Sequence, residues 1–397
     1  MPSEVRKAAA ADAAVPSGSA SAAAPDAAAS VVVEPPSAKL IVRLFVIPLL
    51  IVAAAVGVMF LVGLLTGGTP TFEESFKGLE EQGGQRTGGI LIGPGSKQRY
   101  MYAQRLAEGM KEKMRAGMSE AERTQFSNRL LGVVDKAQAD EGEVKHFLLL
   151  ALGRVWQVDP RQGPMDSEAA VESRKQAVGK LLGYVEPAPV SAQTEDDRVR
   201  LKGLQNRVRN AAALGLAFMS GRPEARAALP ALIRVLGDTS DDLDVRMSAA
   251  AAIGQLATPQ DTAALDALRT AKNDTDKKEE IELVWSAAIA LAQLNQGDAE
   301  GEVMKLLSRA ELDQAEFFDR ETDPKNPRFR KLSEPEKERI LINAMIGGIR
   351  LQVPGVHAQI RKVAESDTSG RVREAGRLVL AGKEAGVAAA ALKPAAN

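Results

Sequence analysis

The chain has 397 residues, 45% of them apolar and 26% charged, with 51 Lys and Arg against 52 Asp and Glu and a net charge of −1. That balance excludes the broad positive field of a nucleic-acid binder. The absence of cysteine excludes disulfide frameworks, cysteine–zinc sites, iron–sulfur clusters and thiol catalysis. Aromatics are only 4% and Ala is abundant, which favours helix, because Ala, Leu, Glu, Lys and Arg lose little side-chain freedom there.

In chain order, residues 1–38 form an Ala/Pro-rich tail. It lacks apolar periodicity and reads as disordered, since it buries too little surface to offset ordering entropy. Residues 39–66 read as a single transmembrane helix. Its uncharged run LFVIPLLIVAAAVGVMFLVGLL, residues 44–65, spans roughly 33 Å, the thickness of a bilayer's hydrocarbon core. Lys39 and Arg43 precede the span, and Glu73, Glu74, Glu80 and Glu81 follow it against Lys77. The positive-inside rule then predicts a cytoplasmic N-terminus and an exported C-terminal part, periplasmic or otherwise extracytoplasmic. Ala53 and Gly57 have the small-xxx-small spacing that lets two spans self-associate.

Residues 67–96 are Gly-rich and read as a linker. Within them GGILIGPGSK lacks the Gly-Lys-Ser/Thr of a phosphate loop, so Ser96 reads as the N-cap of a helix starting at Lys97. Residues 97–138 read as an opening helical hairpin, its second helix started by the capping box Ser119-Glu120-Ala121-Glu122.

Residues 139–384 are self-similar. Val208-Arg209 leads to Ala212-Ala213-Leu214-Gly215, Val245-Arg246 to Ala251-Ala252-Ile253-Gly254, and Val284-Trp285 to Ala290-Leu291-Ala292. The period is roughly 40 residues, the length of a two-helix repeat. Weaker copies lie at 144–153, 340–348 and 372–376, with insertions near 157–200 and 309–333. In each unit an acidic turn such as Asp238-Thr239-Ser240-Asp241-Asp242 caps a first, Ala-rich helix, and a second helix follows. One pair cannot bury its apolar face alone, so pairs stack. Residues 385–397 form an Ala-rich tail.

The segment LPALIRVLGDTSDDLDVRMSAAAAIGQLATPQDTAALDAL, residues 229–268, resembles the HEAT-repeat family, in particular the short bacterial HEAT-like repeats also found in phycobilisome lyases. The Asp, Val-Arg, Ala-Ala and Gly-x-Leu positions carry the resemblance. It implies an all-α fold, an α-solenoid of HEAT-like helical hairpins behind one transmembrane helix, with a groove that binds protein. Lys145 replaces the arginine in one unit and Trp285 follows Val284 in another, and these two units depart from the family's pattern.

Chemistry-bearing residues are sparse. The two histidines, His146 and His357, stand alone at helix starts, without metal-ligand spacing or a nucleophile motif. The acidic runs at 195–197 and 238–244 lack the spacing of a calcium loop. Neither catalytic residues nor a cofactor nor a metal is therefore expected. Trp156 and Trp285, at equivalent places near the first helices, read as core. Candidate protein-binding residues are Arg234, Arg269, Lys305 and Arg361 of the second helices, which could line the groove, and Phe317, Phe318 and Phe329 of the charged insertion, since inserted loops often form binding faces. The leading expectation is a membrane-tethered scaffold for protein–protein interaction. A structural or assembly protein of the cell envelope stays open, as does a lyase or chaperone-like protein by family analogy.

Overall fold

The computed structural model describes residues 71–81, 85–87, 90–92, 96–138, 141–159, 166–189, 194–273, 280–319 and 328–382. The chain divides into two units after Gly68, and everything below concerns the second. The predicted tails at 1–38 and 385–397 and the predicted span lie outside the described residues. Among the described residues, no helix is long and apolar enough to cross a membrane.

The described helices are α1 (Phe72–Glu80), α2 (Ser96–Ala116), α3 (Glu120–Lys136), α4 (Gly142–Val155), α5 (Glu168–Val185), α6 (Glu195–Phe218), α7 (Leu229–Gly237), α8 (Leu243–Leu256), α9 (Thr262–Asn273), α10 (Ile281–Gln293), α11 (Glu300–Leu306), α12 (Arg309–Gln314), α13 (Glu334–Gly348), α14 (Pro354–Ser366) and α15 (Gly370–Leu380). Two antiparallel ribbons interrupt them, β1 (Gln85–Thr87) with β2 (Ile90–Ile92) and β3 (Glu316–Asp319) with β4 (Arg328–Lys331). The architecture is an all-α helical solenoid of two layers. Helices α2, α4, α6, α8, α10, α13 and α15 pack side by side in the first layer, and α1, α3, α5, α7, α9, α11 and α14 form the second. Each first-layer helix packs most closely on the second-layer helix before it, as α8 does on α7 and α10 on α9.

Close approach within the first layer explains the recurring glycines. A Cβ on Gly153 would stand 2.5 Å from the Cα of Gly215 and equally inside contact of its carbonyl oxygen. One on Gly254 would stand 2.7 Å from the Cβ of Ala290. Helices α4 and α6, and likewise α8 and α10, therefore approach to a distance that only Gly and Ala permit.

A ladder of buried arginines ties the layers together. Arg99 of α2 donates to the carbonyls of Leu79 (3.1 Å) and Glu81 (2.8 Å) at the end of α1, and to Glu141 (2.6 Å) ahead of α4. Arg209 of α6 donates to Val185 O (2.9 Å) at the end of α5, and to both carboxylate oxygens of Asp241 (2.5 Å each) ahead of α8. Arg246 of α8 repeats this on Leu236 O (3.2 Å) and Glu280 (2.7 Å). Each guanidinium thus neutralises the negative C-terminal end of a second-layer helix and reaches an acid leading into the next first-layer helix.

The ladder stops at α10, where Trp285 stands in place of the arginine. There the insertion docks instead. Phe317 of β3 is buried edge-on against Trp285, ring centroids 5.1 Å apart. The 309–333 insertion is thus a short helix and a β-ribbon. At its start, Arg309 of α12 restores a bridge to both oxygens of Asp367 (2.7 and 2.8 Å) and to Glu334 (2.7 Å).

Three expectations need correction. The stretch 67–96 is not linker throughout, because α1 forms inside it. Thr71 and Glu74 make its capping box, and Phe76 and Leu79 are fully buried. The region 157–200 is only partly insertion, because α5 within it is a regular second-layer helix with Ala170, Ala177, Leu181 and Val185 buried. Trp156 and Trp285 are both buried core but are not equivalent, since Trp156 caps the C-terminus of α4 whereas Trp285 lies near the start of α10.

The ribbon is held to α13 by Arg330, which donates to both oxygens of Glu336 (2.8 and 2.6 Å). That pairing, with a bond from Ser333, holds the Glu336 carboxyl down at about 2. A carboxyl lowered below its unfolded value, about 4.3, stabilises fully above that value and loses its effect as pH falls toward the folded one. Hydrogen-exchange protection of the β3–β4 amides should therefore decline from about pH 5 toward 2. Glu336→Gln should reproduce the loss at neutral pH, and unchanged protection in that variant would remove Glu336 from the anchor.

Candidate protein-binding face

The outward positions of the first layer recur every three or four residues, the spacing of one helix face. They are Phe147, Leu150 and Arg154 on α4; Asn210, Leu214 and Phe218 on α6; Met247 and Ala251 on α8; Ser286 and Ile289 on α10; and Asn343 and Ile346 on α13, all half-exposed or exposed. On α2, Tyr100 and Met101 are 37% and 48% exposed, and Tyr100 sits edge-on to Phe147 at 5.5 Å. A shallow hollow of about 210 Å³ is lined by Met101, Gln104, Arg105 and Glu108. The face crosses successive helices with partly buried apolar side chains interspersed with Arg154, Asn210, Ser286 and Asn343, a mixture found at docking surfaces.

Charge gathers at its α2–α4–α6 end. Arg154 is half-buried, its guanidinium 4.9 Å from the ring centroid of half-exposed Phe218. Burial, and then the like charge of Arg115, lower its pKa below the ordinary arginine range. Arg207 pairs with Glu143, and His146 Nδ1 lies 3.2 Å from the Arg207 carbonyl oxygen.

The second layer's outer face differs. Its fully exposed positions are polar or small, among them Glu172, Gln176, Gly179 and Gly183 on α5, Ala263, Asp266 and Thr270 on α9, Gly301 on α11 and Ala358 on α14, while Leu182, Tyr184, Ile233 and Met304 are partly buried like the apolar residues of the first layer. The predicted basic residues lie here, and three of the four have acidic partners. Arg234 pairs with Glu186, Arg269 with Asp298 (3.1 Å) and Gln296 (3.0 Å), and Lys305 with Glu302 (2.7 Å). Arg361 is exposed on α14. The structure thus brings the four onto one layer but answers most of their charge internally. Phe317 is buried and Phe329 is 40% exposed; of Phe318 only the backbone is described, paired with Phe329 across the ribbon.

Sequence reasoning missed the first-layer face. Its signal was present as large residues among alanines: Phe147, Leu150, Leu214, Phe218 and Met247. In Ala-rich helices such residues read as core until the stacking shows which side stays open. Among the described residues, no group of His, Asp and Glu is arranged to hold a metal. His357 lies on α14 with its Nε2 buried.

Together these features define a two-layered helical repeat protein. Residues 198–286, from α6 to the start of α10, match a family model described as HEAT repeats. HEAT repeats generally mediate protein–protein interaction or scaffolding. No curated protein and no solved structure matches the chain.

Proposed function

We propose that this protein is a membrane-tethered HEAT-type scaffold that binds a protein partner through the outer face of its first helical layer. The observation that carries the reading is the run of first-layer residues from Tyr100 to Ile346, set against a second layer whose fully exposed positions are polar, small or self-paired. A run of partly exposed apolar side chains along successive helices of a folded solenoid is a surface that a partner would cover. The tether rests on the uncharged run at 44–65, and the exported orientation on Lys39 and Arg43 ahead of it. The protein acts by binding and not by turnover in this reading.

The test uses the full-length chain in its native membrane, with a photo-crosslinking residue at Leu214 or, as control, at Thr270. Adducts to another polypeptide from position 214 and not from 270 are expected, and Phe147→Asp should abolish them. Adducts only from 270, or none from 214, would overturn the assignment of the face. Topology reporters at both termini check the orientation, and loss of function on replacing His146 and His357 would favour the enzymatic alternative.

A further inference from the structure

The start of α1 is fixed at the edge of the solenoid where α2 ends. The two helices run antiparallel: a Cβ on Gly78 would run into the Tyr102 ring, one on Gly109 would meet Phe72 at 2.7 Å, and Lys113 Nζ lies 5.0 Å from the Phe72 ring centroid. Thr71 and Phe72 therefore sit beside the last turns of α2, where Ala116 and Gly117 are exposed before Ser119 caps α3. Unravelling α1 is costly. Thr71 and Glu74 close a capping box, Phe76 and Leu79 are fully buried, and Arg129 of α3 clasps Glu73 and Glu80 at 2.8 Å each.

Only Thr66, Gly67, Gly68, Thr69 and Pro70 stand between the uncharged run that ends at Leu65 and Thr71. Such a stretch reaches at most about 20 Å when fully extended, and a Gly-rich chain of that length averages about 13 Å. The headgroup layer takes up about 5–7 Å of that reach. The start of α1 thus stays, on average, within about one helix diameter of the headgroups. The groups at this edge suit that level. Phe72 is half-buried with the exposed Lys113 ammonium over its ring, and aromatic and lysine side chains settle at the boundary of water and lipid. Its acids are already engaged, Glu73 by Arg129 and Glu74 by the Thr71 N–H (2.7 Å). Resting on the membrane-tether reading above, we propose that the edge formed by the start of α1 and the α2–α3 turn is a membrane-facing surface, held against the lipid headgroups by this short leash. The solenoid therefore meets its partner at the bilayer surface.

The chain has no cysteine, so a single introduced one can carry a fluorophore. Ala116→Cys and Lys97→Cys stand at opposite ends of α2, both exposed, and roughly 28 Å apart along its axis. Each labelled full-length protein is placed in lipid nanodiscs whose headgroups carry a quencher, once in zwitterionic and once in acidic lipid. The probe at 116 should lose most of its emission and the probe at 97 little of it, alike in both lipids, because the leash and not lipid charge sets the distance. Inserting about 20 Gly/Ser residues after Gly68 roughly doubles the mean reach and should restore most of the emission at 116. Equal quenching at the two positions, stronger quenching at 97, quenching of 116 in acidic lipid alone, or an unchanged pattern with the long leash would overturn the proposal while leaving the tether standing. Release of the full-length protein from membranes by alkaline carbonate would overturn the tether reading itself, and the proposal with it.

Discussion

Gly153→Val is expected to destabilise the solenoid by about 3 kcal/mol or more, as overpacking against unyielding neighbours does. The added carbons would enter the space of the Gly215 backbone, with the Cβ alone 2.5 Å from its Cα. A flexible side chain could swing aside, but a helix backbone moves only if α4 and α6 separate, and that would uncover Leu149, Leu152 and Ala212, all fully buried. The control is Gly179→Ala on α5, where nothing lies within 4 Å of the added Cβ. There the helix-propensity gain, about 1 kcal/mol, should appear undiminished as a higher Tm. Far-UV circular dichroism on heating reads both. Equal Tm values for Gly153→Val and wild type would mean that the two backbones are not in contact.

Removal of Arg209 should be nearly as damaging. Arg209→Ala removes the donor to the Val185 carbonyl and leaves the Asp241 carboxylate with the Asp242 N–H (2.8 Å) but no cation, in a site where the two side chains are 3% and 10% exposed. Breaking a buried pair by deleting one member costs about 3–5 kcal/mol, whereas replacing both members with apolar residues costs far less. Arg209→Met combined with Asp241→Leu is therefore expected to recover much of the loss. Chemical denaturation of the four proteins of that cycle gives the coupling. Because stacked repeats fold as nearest-neighbour units, the damage should centre on α6–α8, and exchange protection there should fall before that of α13–α15. A double variant as unstable as Arg209→Ala would show that the ion pair itself, and not the avoidance of an orphaned charge, holds this interface.

The Arg209–Asp241 pair also shows where sequence reading stopped. The Val-Arg and Asp positions were legible as a repeated pattern, and the acidic turn was legible as a cap. Asp242 does cap α8, accepting from Asp244 N at 3.0 Å. What the pattern did not reveal is that its neighbour Asp241 faces backward, to an arginine of the preceding repeat. The two outer faces went the same way. Arg234 and Arg269 look like free cations along the chain, yet Glu186 and Asp298 answer them in space.

The sequence by itself determined the all-α class, the phase of the repeat and many helix boundaries. The Ser119–Glu122 capping box, with both of its bonds formed, starts α3 where expected, and α2 begins at Ser96, one residue before the expected start. These are signals of one turn, set by backbone groups that need partners within three or four residues. Tertiary structure alone decided that α1 and α5 join the second layer, that a ribbon docks where Trp285 interrupts the arginine ladder, and which side chains of each outer face stay exposed. Those outcomes depend on what lies beside a helix after stacking. A helix rich in alanine carries too little amphipathic contrast to announce which of its sides will meet a neighbour and which will meet water.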